Sequence, residues 1–195
     1  MLAAPKLGFV FLASPKAGSS AIQRAFRSQA QLLFSAPPSL KHLTAFEFEA
    51  DVAPLLAKHG YARTSYATAC LVREPVDLTV SWWRYRSRTE ALGRPHYTGG
   101  MSFDEFVDRV VSGRGAFRTP SQFACDPDGH ALVDRMFRYE HLDACVAWMA
   151  ELAGVDVELE RVNVSPRRAV EVTASARSKL EEFYASDLTL YEAAE

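Results

Sequence analysis

The chain has little that would tie it to a membrane, an oxidising compartment or a polyanion. No stretch approaches the ~20 consecutive apolar residues of a membrane span, and the apolar opening MLAAPKLGFVFLA is too short for a signal-peptide core with its cleavage site, so it reads as the first strand of the fold. Only three cysteines occur, Cys70, Cys125 and Cys145, widely spaced and never as C-x-x-C. That pattern excludes a disulfide framework or zinc ribbon, fits a reducing compartment, and makes each thiol a small buried hydrophobe. Neither sign of charge dominates: 22 Lys and Arg against 24 Asp and Glu leave a formal net charge of −2. A protein that lives by neutralising a polyanion is excluded, and local basic clusters read as sites. None of the five histidines forms a ligand pair at metal spacing. These absences imply a cytoplasmic protein without nucleic-acid, membrane or metal partners. The 195 residues, 48% apolar, suffice for one domain over 1–195 with a core of its own.

Segments that are present alternate between strand and helix. A continuously apolar strand at 8–13, as expected of a parallel strand covered on both faces, leads into a helix from Gly18 or Ser19 that faces Ile22 and Phe26 to the core. QLLFSA is the next strand, broken by Pro37-Pro38 and followed by a helix over 44–58 that stops at Gly60. ATACLV is a third strand, and Pro75 opens a helix to about residue 91, where its missing N–H costs nothing. Ser102 and Glu105 form a capping box for a helix ending near Gly113, residues 113–130 read as a long surface loop, ALVDRMFRY holds a strand, and two helices follow, one closed by Gly154 and one over 174–184. Alternation of this kind predicts an α/β fold of P-loop-like, three-layer form, with a central parallel sheet flanked by helices. Ligands of such sheets sit beyond the carboxyl ends of the strands, where Lys16, residues 35–42 and Arg73 fall.

Two turns carry the chemistry. In GFVFLASPKAGSSAIQRAF a strand, a glycine turn and a helix start offer unpaired N–H groups to an anion, with hydroxyls from Ser19 and Ser20 and a mobile charge from Lys16. A plain strand-to-helix turn is the alternative. The nucleotide-hydrolase pattern G-x-x-x-x-G-K-[ST] is not met, because Lys16 precedes Gly18, and no strand ends in a magnesium-binding Asp. ATACLVREPVDLTVSWWRY repeats the design with Arg73 at the strand end and Ser81 inside the helix; the alternative for Arg73 is an ion pair with Glu74 or Asp77. Two anion sites on neighbouring strands point to a ligand phosphorylated at two distant points.

The order Pro-Lys-x-Gly-Ser-Ser, then Arg-Glu-Pro-x-Asp with Ser81 eight residues after the arginine, resembles the PAPS-dependent sulfotransferases. VDRMFRYEHL, RVNVSPRR and YASDLTLYE are similar to later landmarks of the carbohydrate sulfotransferase branch, so the resemblance covers nearly the whole chain. It implies that Lys16, Ala17, Gly18, Ser19 and Ser20 hold the 5′-phosphosulfate of 3′-phosphoadenosine 5′-phosphosulfate (PAPS; product PAP). Arg73 and Ser81 would hold the 3′-phosphate, and a sulfuryl group would move to a hydroxyl of a carbohydrate or other small acceptor without a metal. Lysine suits a bridging oxygen as a movable point charge, and arginine grips two phosphate oxygens at once.

His42 is the favoured base, since it follows the Pro-Pro break and histidine titrates where base work is easiest; a helix-start histidine is the alternative. The family's proposed base in this region is a histidine or a glutamate, so Glu47 and Glu49 compete. Trp82 and Trp83 read as core rather than adenine platforms, and Arg138 with Glu140 as an ion pair. Arg167 and Arg168 either close over an anionic ligand or are solvated. Asn163 opens a sequon followed by Pro166. A P-loop-type nucleotide kinase and a catalytically silent nucleotide-binding domain are the competing functions.

Overall fold

A computed structural model describes residues 1–115, 117–160 and 168–195. Five strands form one sheet: β1 Leu2–Ala4, β2 Phe9–Leu12, β3 Leu32–Leu33, β4 Ala67–Val72 and β5 Arg135–Arg138, in the order β3-β1-β2-β4-β5. The helices in chain order are α1 Ser19–Ala25, α2 Pro38–Lys41, α3 Ala45–Glu47 running through a π turn (Phe48–Val52) into α4 Ala53–Lys58, α5 Pro75–Arg86, α6 Phe103–Val111, α7 Pro120–Ala124, α8 Leu142–Ala153, α9 Ala174–Phe183 and α10 Ala185–Glu192.

The sheet is mixed, which corrects the wholly parallel expectation. β2, β4 and β5 are parallel, but β1 runs antiparallel to both β2 and β3. The cause is local. Pro5 starts a single 3-10 turn, and Gly8 closes it with φ +86° and a hydrogen bond from its N–H to the Pro5 carbonyl, a backbone conformation that a Cβ disfavours. The opening residues therefore fold back as a hairpin, pairing Leu2 with Phe11 and Ala4 with Phe9.

Side chains alternate across the sheet. Val10, Leu12, Cys70 and Val72 join Phe48, Val52, Leu56 and Phe123 on one face, while Phe9, Phe11, Ala69 and Leu71 join Ile22, Phe26, Cys145 and Met149 on the other. Helices thus cover both faces. A third apolar cluster, built from Val76, Val80 and Trp83 of α5 with α6 and α9, lies beside the sheet. The open edge of β5 is capped by Glu195, whose N–H donates to the Met136 carbonyl and whose carbonyl accepts from the Arg138 N–H.

All three cysteines are free and buried. Residues 113–130 are not a bare loop: Thr119 and Gln122 form a capping box for α7, which buries Phe123 in the core. Arg138 does not pair with Glu140. It donates to the Ala194 and Glu192 carbonyls, and Glu140 accepts from the Tyr191 hydroxyl. Arg167 and the Asn163 sequon lie outside the described residues. No described helix is long and apolar enough to cross a membrane.

Candidate functional site

The two motif turns meet at the carboxyl ends of adjacent parallel strands. β2 and β4 pair in register from Phe9 with Ala67 to Leu12 with Cys70, so the chain leaves both strands at one end of the sheet. After β2 the backbone turns through Lys16 (φ +62°) and Gly18 (φ +71°) into α1. Gly18 suits this turn, because its φ lies in the left-handed region that a Cβ disfavours, and a Cβ there would also come within 3.3 Å of Leu142 Cδ1. After β4, Glu74 caps α5 by accepting from the Asp77 N–H, with Pro75 in the first turn.

Arg73 joins the two turns. Its Nη1 donates to the Lys16 carbonyl at 2.9 Å, its Nε donates to Asp77 at 2.5 Å, and its guanidinium lies 4.6 Å from the Tyr139 ring centre. Nη2 makes no bond among the described residues. The sequence alternative of an Asp77 ion pair is therefore present, and it holds the fork against the Lys16 turn.

Lys16 extends toward α5. Its Nζ is 4.1 Å from the Tyr85 ring centre and 5.9 Å from that of Trp82. Burial, then the nearby charges of Arg88 and Arg73, lower its pKa to about 8. A proton held that loosely is one an incoming anion would retain.

His42 caps α2, and its Nδ1 is 2.6 Å from the carbonyl of Ala13, directly after β2. A carbonyl only accepts, so Nδ1 carries the proton and Nε2 keeps its lone pair, without a partner among the described residues. Burial lowers the pKa of His42, so the ring is neutral at pH 7. The two glutamates stand differently. Glu47 is engaged by Thr44 in a capping box that lowers its pKa, with Arg118 3.8 Å away. Glu49 binds Arg63 Nε at 2.7 Å in a cluster at the opposite, amino-terminal end of β4. Of the three candidate bases, His42 presents Nε2 without a partner among the described residues, while both Thr44 bonds of Glu47 fall on Oε2 and Glu49 stands at the other end of β4.

The serines are not equivalent. Ser19 and Ser81 are buried, 4% and 5% exposed. Ser20 accepts a 2.6 Å hydrogen bond from Lys41 Nζ, whose pKa burial lowers. Ala17 belongs to the core on the α1 face. Lys41 and Arg88 had no place in the sequence reading; the one hint was a basic residue directly before His42. Trp83 is core, its indole N–H donating to the Met101 carbonyl, whereas Trp82 is half-buried and stacks on Phe117. Arg168 is structural: it lies over the Trp83 ring and donates to the Thr98 and Met101 carbonyls.

Between the tips and α7, the space bounded by Ser14, Pro15, Arg73, Arg118, Pro120 and Phe123 holds only about 20 Å3, room for a single water. A larger groove of about 780 Å3 runs beside α8, but it is lined by Asp143, Glu151, Asp156 and Glu158 with no basic residue among the described residues. It does not suit an anion. Asp126, Asp128 and His130 bring possible ligand atoms within 4.8 Å of one another in an exposed turn, a grouping the sequence reading did not register. Asp126 there already accepts from the N–H groups of Asp128 and His130.

No family model, curated protein or solved structure matches the chain.

Proposed function

We propose that the chain is a PAPS-dependent sulfotransferase on a P-loop-like, three-layer α/β fold, acting without a metal in the cytoplasm on a carbohydrate or other small hydroxyl acceptor. One observation carries the reading: the Lys16 turn and Arg73 lie together at the tips of adjacent parallel strands, tied by the Arg73 Nη1 to Lys16 carbonyl bond. The donor chemistry fits a doubly phosphorylated nucleotide. Lys16, Arg73 and Lys41 supply full charges, Ser20 supplies a hydroxyl, and few carboxylates compete.

PAPS supplies the activated sulfuryl group. Lys16 would hold positive charge at the oxygen that departs with the phosphate, and the open Nη2 of Arg73 is available to the 3′-phosphate. His42 Nε2 would take the acceptor hydroxyl's proton, held in the competent tautomer by the Ala13 carbonyl. Positioning and electrostatics account for most of the rate in such transfers, as in phosphoryl transfer.

α7 leaves little room between the tips, so in either the enzyme or the silent-binder reading a nucleotide would lie over them or displace the α7 segment. A kinase is disfavoured by the lysine that precedes the glycine. Sulfuryl transfer from labelled PAPS to a panel of hydroxyl acceptors tests the enzyme reading, with thermal stabilisation by PAP against ATP and magnesium beside it. A ligand at 100 times its Kd adds about 2.7 kcal/mol. PAP stabilisation with transfer supports the enzyme, PAP stabilisation without transfer the silent binder, and a preference for ATP the kinase.

A further inference from the structure

Trp82 and Trp83 are neighbours on α5, and their indole N–H groups fare differently. Trp83 Nε1 donates to the Met101 carbonyl at 3.1 Å, as a buried donor must. Trp82 Nε1 is shielded from solvent and has no hydrogen-bond partner among the described residues. One other described side-chain atom shares that state, the Tyr66 hydroxyl, and it lies at the amino end of β4, away from the strand tips. A donor held out of water and left unpaired forfeits its hydration without return, and an acceptor from outside the chain removes that cost.

Trp82 also stands at the candidate site. Its ring centre is 5.9 Å from Lys16 Nζ, and Tyr85, which meets it edge-on, has the same ammonium 4.1 Å from its own centre. Phe117 stacks on Trp82 with ring centres 5.6 Å apart and planes 25° from parallel. An indole N–H lies in the plane of its ring, so that stack occupies a face and not the donor. The group donates and never accepts, and beside a lysine ammonium the acceptor it suits best is an anionic oxygen.

We propose that Trp82 is a ligand-binding residue of this site, its indole N–H donating to an oxygen of the phosphate or sulfate group that Lys16 holds. The assignment rests on the reading of Lys16 as a phosphate or sulfate ligand. It separates Trp82 from Trp83, whose ring and N–H are both spent on the core. Because the N–H is shielded in the free protein, ligand entry uncovers this edge of the ring.

The test is calorimetric titration of the full chain with PAP, with PAPS and with inorganic pyrophosphate, for the wild type and Trp82→Phe, beside the indole NMR spectrum of the wild type with and without each probe. Phenylalanine keeps an aromatic ring against Phe117 and removes the N–H. The chain has three tryptophans, so the Trp82 indole resonance is the one missing from the variant. Trp82→Phe is expected to weaken binding about tenfold, and the Trp82 resonance to move downfield on binding. Loss for both PAP and PAPS places the acceptor on the 5′-phosphate, and loss for PAPS alone places it on the sulfate. Equal affinity of wild type and Trp82→Phe for PAP and PAPS overturns the assignment and leaves the nucleotide reading intact. Weaker binding with a resonance that stays in place overturns it too, because the ring and not the N–H is then what matters. Binding of pyrophosphate but neither nucleotide overturns the nucleotide reading, and the response of the resonance to pyrophosphate then decides Trp82 alone. No binding of any probe overturns both. Should Trp82→Phe fail to fold, the resonance is assigned in the wild type from its through-space contacts with the Phe117 and Tyr85 rings: a downfield shift on binding supports the assignment, and no shift overturns it.

Discussion

The two ends of β4 hold arginines of opposite character. At the amino end Arg63 is saturated: Nε binds Glu49, Nη1 the Tyr66 carbonyl, and Nη2 both Asp134 and Thr68. Asp134 in turn accepts from the Thr68 N–H and hydroxyl, so two carboxylates and a backbone amide close around one guanidinium. At the carboxyl end Lys16, Lys41, Arg73 and Arg88 gather, with Asp77 the carboxylate paired to them among the described residues. A compensated cluster stabilises a fold and asks for nothing more. At this end burial first, and then the neighbouring charges of Arg88 and Arg73, depress the pKa of Lys16, a penalty that a bound anion would offset.

The largest expected effect breaks the carboxyl end alone. His42→Gln preserves a donor toward the Ala13 carbonyl but removes the basic Nε2. Sulfuryl transfer should fall by roughly 10²–10⁴ in kcat, with PAP affinity changed less than about twofold, as read from steady-state kinetics beside calorimetry. Retained kcat would return the base role to Glu47 or to water. Next in size is Arg63→Ala at the amino end, which leaves Glu49 and Asp134 uncompensated. Because the Arg63 side chain is 33% exposed, solvent screens part of the loss, and urea unfolding should show a cost of about 2 kcal/mol. PAP binding should not change, and a parallel loss of binding would mean that the two ends are not independent.

The smallest effect sharpens the contrast through pH. Lys16 has a folded pKa of about 8 against an ordinary 10.5. Between those values the unfolded chain binds more protons than the folded one, so the Lys16 contribution to unliganded stability rises with pH across that window. The stabilisation added by PAP should shrink over the same range, because the neutral amine no longer attracts phosphate. Thermal melts from pH 7 to 10, with and without PAP, check both slopes, and Lys16→Met should flatten both. Since burial holds His42 below its usual value, loss of its base form should appear only below about pH 6.5.

Much of this was legible where the physics is local. Gly18, Pro75, Gly154 and the Ser102–Glu105 box mark boundaries because caps and turns are decided by neighbours within four residues. The unbroken apolar runs FVFL and ATACLV mark β2 and β4 as strands buried on both faces. Other features were not legible. Three residues, Leu2–Ala4, show no periodicity that separates a reversed strand from the lead-in to the next one. The Thr119–Gln122 box was hidden among loop-like neighbours. Lys41 reaches Ser20 across 21 residues, and Glu47 and Glu49 end in different environments because residues two apart on a helix face opposite sides, and only the packing decides what each side meets.

The amino-acid order by itself determined the two turns, their glycine and proline punctuation, and the adjacency of lysine, arginine and serine to strand ends, since each depends on backbone sterics over a few residues. Only the tertiary structure decided that Arg73 folds back onto the Lys16 carbonyl, that His42 presents Nε2 while Glu49 faces the other end of the sheet, and that Tyr85 carries two cations. Those outcomes depend on which distant segments the packing of the core brings within a few ångströms, and no pattern along one stretch of chain encodes a distance between two.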